Sequence, residues 1–363
     1  MEDEMEIIFS SFLFTFLAIK ALRPIADKVG LLDMPNYRKH HQGAVPLIGG
    51  VAIFIGVAIT SLIFMTLSYQ QKILLGSSLI IVLLGVFDDL RDISVRFRLF
   101  VQASCTIFMC LSLNVTLSYL GNMFGFSELN IGVIGYLVAV MAVIGGINAY
   151  NMMDGIDGLA GSMALISLIA LIILFASKGA IEYMHWAMVF AVAIIPYLFA
   201  NLRLGWFKQK IFMGDAGSML LGFVIVWLLI LGTQQETKYF RTVTALWIIS
   251  VPLMDMAAIM IRRVRKGNSP FKPDRKHLHH IFLRAGLNSR QALAVIVVAA
   301  VLLTSIGIAG ELWQVPEWIM LVGFLCLFAG YYYSLHRIWK IVRWVKKSKS
   351  ISKLGCYHSN LLI

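Results

Sequence analysis

Asn148-Ala149-Tyr150-Asn151-Met152-Met153-Asp154-Gly155-Ile156-Asp157-Gly158 lies between two long apolar runs, near 131–149 and 158–177. Asn148, Asn151, Asp154 and Asp157 recur every three residues, so neighbours sit close together on a helical turn while Gly155 and Gly158 loosen the backbone. The result is a compact set of amide and carboxylate oxygens at the edge of apolar helices, where ionisable groups are costly unless they serve a purpose. Two bland readings stand beside this one. Asp-Gly pairs form ordinary turns, and Asp157 would serve as a cap for the helix that follows it.

The flanking runs are part of a pattern that fills the chain. Of 363 residues, 59% are hydrophobic and only 14% charged, and the mean hydropathy of +0.82 excludes a soluble domain. Apolar stretches able to approach or cross a hydrocarbon core of ~30 Å lie near 7–22, 47–68, 73–87, 97–118 and 131–149. Six more lie near 158–177, 184–202, 217–234, 241–261, 292–309 and 316–336. The expected fold is an all-α polytopic membrane protein of about eleven transmembrane helices. Residues 1–340 form one integral domain, and 341–363 a basic tail. The acidic start, Glu2-Asp3-Glu4, lacks the basic region of a cleaved signal peptide. Cys105, Cys110, Cys326 and Cys356 show neither a disulfide framework nor metal-site spacing.

Orientation follows from the basic residues, which collect in cytoplasmic loops. Alternate loops and the tail hold 26 of the 31 Lys and Arg residues. That places the N-terminus outside and the C-terminus in the cytoplasm. The net charge of +12 is then a topology signal and an attraction to the anionic bilayer surface, with no nucleic acid implied. The acids divide equally sharply. Every carboxylate assigned to the cytoplasmic side is an aspartate, a short side chain suited to positioning magnesium and phosphate.

Each cytoplasmic loop carries its own polar signature. The first contains Arg38-Lys39-His40-His41 before the Gly49-Gly50 pair; it reads as a membrane anchor or as a phosphate contact through Arg38. The second begins Asp88-Asp89-Leu90-Arg91-Asp92 directly after an apolar helix. Adjacent carboxylates there repel unless a cation joins them. The third is the opening stretch, which holds no Lys or Arg. The fourth reads Phe212-Met213-Gly214-Asp215-Ala216-Gly217-Ser218, with Asp215 at a helix N-terminus where backbone amides and the helix dipole favour anions. Asp215 reads as a metal or phosphate residue, with a cap as the alternative, and Phe212 as interface filler or a base-stacking platform. Asp255 lies seven residues before Arg262, ~10 Å into its helix, where it either supports the site or pairs with a basic side chain. The largest loop includes Arg265, Arg275, Lys276 and the run His277-Leu278-His279-His280. By helical spacing His277 and His280 share a face that His279 does not. The cationic setting and lack of cysteine suit a diphosphate better than zinc.

Taken together, Asp-Asp-Leu-Arg-Asp at 88–92, the stretch at 148–158, Phe-Met-Gly-Asp-Ala-Gly-Ser at 212–218 and His-Leu-His-His at 277–280 resemble the polyprenyl-phosphate N-acetylhexosamine-1-phosphate transferase family. Asp92 is similar to the GlcNAc branch of that family, since the muramoyl-pentapeptide branch carries lysine there. The resemblance implies transfer of GlcNAc-1-phosphate from UDP-GlcNAc to undecaprenyl phosphate, releasing UMP, with Mg2+ or Mn2+ as cofactor. It implies a multi-pass protein of the bacterial inner membrane with its active site on the cytoplasmic face. The lipid product would prime O-antigen and enterobacterial common antigen, and a homodimer is compatible with this reading. By resemblance, catalysis falls to Asp88, Asp89, Asp154 and Asp157, and metal binding to Asp215 and Asp89. Substrate binding falls to Arg38, Asp92, Asn148, Asn151, Asn201, Phe212, Arg265, Arg275, His277, His279 and His280. Another UDP-N-acetylhexosamine would serve the same chemistry. A secondary transporter is the rival class, but transporters place charges near the midplane, whereas these acids gather at one surface.

Overall fold

In the computed structural model the described residues are 2–34, 43–205, 207, 209–234, 238–270, 277–335 and 337. The chain is helical almost throughout, with two short antiparallel pairings, Leu32–Asp33 with Val45–Pro46 and Tyr119–Gly121 with Leu129–Asn130. All eleven apolar stretches fall in helices. These are α1 (Glu2–Val29), α2 (Gly49–Phe64), α3 (Tyr69–Arg91), α4 (Val95–Leu113), α5 (Ile134–Met153), α6 (Leu159–Ser177), α7 (Ile181–Leu202) and α8 (Gly214–Gln234). After them come α9 (Thr242–Ile248), α10 (Ser250–Arg265), the short α11 (Leu278–Ala285), α12 (Ser289–Leu312) and α13 (Glu317–Leu335).

Among the described residues, nine helices are long and apolar enough to cross a membrane, or ten if the bent pair α9–α10 is one span. The expected eleven differs at two places. Helix α2 has 16 residues, about 24 Å at the α-helical rise and so shorter than a typical core. The stretch 241–261 is broken, α9 and α10 meeting at 83°. The cause is in the sequence: Pro252 has no N–H to return to the carbonyl of Ile248, four residues back. That carbonyl instead accepts from the hydroxyls of Ser167 on α6 (3.2 Å) and Thr304 on α12 (3.4 Å). Backbone groups left open in hydrocarbon need such replacements.

Helix α8 is the centre of the bundle, buried along nearly its whole length and flanked by α2, α3, α5 and α6. Glycines bring the backbones together around its first turn. A Cβ at Gly50 of α2 would overlap Gly217, and one at Gly85 of α3 would overlap Ala216. Helix α1 packs on α2 and α7, while α12 bridges α6, α9, α10 and α11. This arrangement fixes the start of α8, and with it Asp215, against α2 and α3.

Candidate active site

The loops expected to meet do meet, and backbone bonds do much of the joining. Phe212 donates its amide to the Pro46 carbonyl (2.9 Å), and the amides of Gly49 and Gly50 donate to the carbonyls of Phe212 (2.9 Å) and Met213 (3.0 Å). The first and fourth loops are thereby stitched together beside Asp215. Gly49 is needed there, since a Cβ would press into Tyr197 and the Phe212 carbonyl.

Asp89 and Asp215 join the second and fourth loops. Both Asp89 carboxylate oxygens accept backbone amides at the start of α8, from Asp215 (2.9 Å) and Ala216 (3.3 Å). Asp89 is therefore the cap of a helix distant in sequence, satisfying amides that α8 cannot satisfy itself. The residue expected as metal ligand or catalyst is engaged in this structural bond, and Asp215, for which a cap role was the alternative, is left to face the site. Asp215 Oδ1 accepts from the Asn151 amide (2.6 Å), which also donates to Ser218 Oγ (3.0 Å).

Asp88 is buried, with one oxygen paired to Arg98 and the other accepting the Ile93 amide at 3.1 Å. Arg98 belongs to none of the sequence motifs. Asp92 closes α3 in the left-handed conformation (φ 48°) with its amide on the Asp88 carbonyl, and its side chain is exposed. Arg98, Gln102, Asn148 and Asn151 form the polar side of a shallow cleft between α4 and α5, with Leu99 and Ile147 on its apolar side. Asn148 donates within its helix to the Ile144 carbonyl (2.7 Å).

The opening stretch forms the end of α5 and the turn into α6. Asp157 does not cap α6. It pairs with Lys210 at 2.7 Å, and the same ammonium lies 4.6 Å from the centre of the Phe212 ring. Gly158 takes the positive φ of 77° at the helix start, and its amide donates to Asn201 Oδ1 (2.6 Å), while Asn201 Nδ2 donates to the Ile211 carbonyl (2.8 Å). Asn201, expected to bind substrate, is buried and uses both ends of its amide on backbone. It clamps the third loop to the fourth. Asp154 is solvent-exposed at its edge but enclosed on its other sides by these loops. That burial first, then the negative charges of Asp215, Asp157 and Asp33, pushes its carboxyl up to about 7. Asp33, from the first loop, is a further acid of the basin that the motifs did not mark.

The histidine run is arranged differently from helical spacing. His277 is the N-cap residue of α11, its Nδ1 2.8 Å from Asp255 Oδ2. The rings of His277 and His279 are nearly parallel, 5.8 Å apart, and both are buried, so the expected opposition of their faces is not found. The run begins before the helix does, which removes the assumed period. His279 presses against Gly155, where a Cβ would overlap its ring, and this contact joins the fifth loop to the third. Burial first, then the charges of His280 and His277, lowers the His279 pKa to about 3. Arg265 is drawn towards α13, donating to the Tyr332 hydroxyl (2.8 Å) with its guanidinium 5.2 Å from that ring. Arg38, Arg275 and the tail 341–363 lie outside the described residues.

Among the described residues no three acid or histidine side chains converge to hold a metal ion. Magnesium does not require three, because it keeps several waters and takes further ligands from substrate phosphates. Asp154 and Asp215, whose charges crowd one another, fit that demand; Asp89, already bonded to two amides, fits it less well.

Fold and site together define a polytopic membrane enzyme with its polar machinery gathered at one end of the helices. Residues 71–233 match the family model described as Glycosyl transferase family 4. The chain is similar to the undecaprenyl-phosphate alpha-N-acetylglucosaminyl 1-phosphate transferase of Pasteurella multocida, at 47% identity over 94% of this chain and 96% of the relative. The proteins of the same name from Haemophilus influenzae and Escherichia coli K12 are 46% and 45% identical, covering 95% and 94% of this chain and 98% and 94% of the relatives. The chain belongs to this family, the polyprenyl-phosphate N-acetylhexosamine-1-phosphate transferases.

Proposed function

We propose that this protein transfers GlcNAc-1-phosphate from UDP-GlcNAc to undecaprenyl phosphate, giving undecaprenyl-diphosphate-GlcNAc and UMP, at the cytoplasmic face of a bacterial inner membrane. The observation that carries this reading is the meeting of Asp154, Asp157, Asp215 and Lys210 with Phe212, drawn from two loops whose ends are tied by Asn201. A phosphate oxygen of the lipid attacks the β-phosphorus of the donor, the bond from that phosphorus to the bridging oxygen breaks, and UMP leaves. One phosphoanhydride replaces another, so positioning and charge neutralisation are the main demands.

A divalent cation held by Asp215 and Asp154 would supply the charge neutralisation at the transferred phosphate. The remaining work falls to the chain itself. Phe212, backed by Lys210, offers a flat face to the uracil ring, and Asn151 holds Asp215 in place. Arg98 lines the cleft between α4 and α5, where a lipid phosphate arriving along the helices meets it. Asp88 orients Arg98. Proton removal is secondary, because a phosphate monoester loses its second proton near a pKa of ~6.

The test is UMP release by the purified full-length protein with undecaprenyl phosphate and a panel of UDP-sugars. Release that requires the lipid and favours UDP-GlcNAc is expected. Preference for UDP-GalNAc overturns the donor assignment, and solute uptake by vesicles without UMP release overturns the enzyme reading.

A further inference from the structure

We infer that Asp255 and Tyr331 are positioning residues for the histidine-bearing helix α11, coupling the site to α13 at the far end of the sequence. Asp255 is buried on α10 and receives three bonds: His277 Nδ1 on one oxygen (2.8 Å), and the Leu278 amide (3.0 Å) and Tyr331 hydroxyl (2.7 Å) on the other. The first two fix the start of α11. An amide of its first turn has its acceptor from another helix, and the ring of its N-cap residue is held from the side. The third bond comes from α13, which lies beyond the residues matched by the family model.

Apolar packing follows the same three elements. Ala258 of α10, Ile281 of α11 and Leu335 of α13 form a separate buried cluster, with Phe328 and Tyr331 packed against it. Beyond the cluster, the His279 ring rests on Gly155 of the acidic turn. A shift of α11 therefore moves an imidazole against the loop that carries Asp154. Removal of the Tyr331 hydroxyl leaves Asp255 with two donors and leaves its position on α10 unchanged. The anchor is loosened without deleting any group that faces substrate.

This inference rests on the donor-binding role proposed for the histidine loop, and the experiment separates the two. Full-length wild type, Tyr331→Phe and Asp255→Asn are purified in detergent. Each is measured by hydrogen exchange of the amides at 278–282 and by KM for UDP-GlcNAc and for undecaprenyl phosphate. In Tyr331→Phe, exchange at 278–282 is expected to quicken about tenfold, the scale of a lost hydrogen bond to a charged group. Its KM for UDP-GlcNAc rises by a similar factor, while KM for the lipid stays within about twofold. Asp255→Asn can still accept from Leu278, so the Leu278 amide stays protected. It presents an amide N–H to His277, which selects the opposite imidazole tautomer, and donor KM rises. Unchanged exchange in Tyr331→Phe overturns the inference, as does an equal rise in both KM values. Wild type that releases no UMP defeats the donor reading alone, and the exchange data still decide whether Tyr331 anchors α11.

Discussion

Asp89 on α3 accepts the backbone amide of Asp215 on α8 at 2.9 Å, so one acid of the basin is placed by another 126 positions earlier in the chain. The bond makes an acidic side chain the cap of a helix, its two oxygens taking amides that the helix cannot satisfy itself. Asp89→Ala is expected to destabilise the protein by about 2 kcal/mol, the upper range for a lost cap. Asp89→Asn, which accepts through one oxygen only, is expected to cost about half as much. Thermal unfolding in detergent measures both, and equal midpoints for wild type and Asp89→Ala would contradict the capping role.

Asp88 supports a different expectation. Its oxygens are held by Arg98 and the Ile93 amide, so its substitution disturbs a cationic side chain rather than removing a base. Asp88→Asn is expected to lower kcat by a factor that is constant from about pH 8 to 9, where the wild-type carboxylate is fully ionised. A rate that recovers at high pH would instead mark Asp88 as the proton acceptor.

Asn201 is a test of folding more than of chemistry. Asn201→Leu leaves the Gly158 amide and the Ile211 carbonyl without their side-chain partner. About 3 kcal/mol of stability should be lost, since each buried group left open costs about 1–3 kcal/mol. Unfolding midpoints, and retention of any residual activity at low temperature, check this.

Gly155→Ala places a methyl group where the His279 ring lies. The exposed turn tolerates alanine, but the ring must swing away. A drop of about a hundredfold in kcat/KM with little change in unfolding midpoint is expected, the scale of a displacement of about 1 Å in a catalytic group. Steady-state UMP release against thermal stability separates the two effects.

His279 also gives the protein a defined acid sensitivity. Its folded pKa of about 3 lies below the ordinary value of 6.5, so the unfolded chain binds the extra proton between those limits. The stability that depends on neutral His279 is complete above about pH 6.5 and declines as pH falls towards 3. His279→Gln should show a shallower fall in unfolding midpoint between pH 6.5 and 4.5. Parallel curves for the two proteins would show that His279 does not titrate on unfolding.

Much of the architecture could be read from the chain because each apolar stretch carries its own signal. The eleven runs all fall in helices, and the aspartates at 88, 154 and 215 are visible as acids at or near their ends. Their partners were not visible. Arg98, Lys210 and Tyr331 look like ordinary interfacial residues until helix packing brings them to Asp88, Asp157 and Asp255. Asn201 carries a substrate role by family resemblance alone, and what its sequence neighbourhood does not reveal is that its partners in space are two backbones. Pro252 is plain in the sequence, but a break of 83° depends on the hydroxyls of Ser167 and Thr304 being present to receive the freed carbonyl.

The glycine contacts at the head of α8 have an effect on how the molecule can respond to its substrates. Gly50 and Gly85 let two neighbouring backbones lie directly against that helix, leaving no slack for it to slide or tilt. The head of that helix is thereby a rigid reference for the loops that gather round it. The protein is built on a fixed anvil bearing Asp215, against which the loops that carry the other polar groups are set.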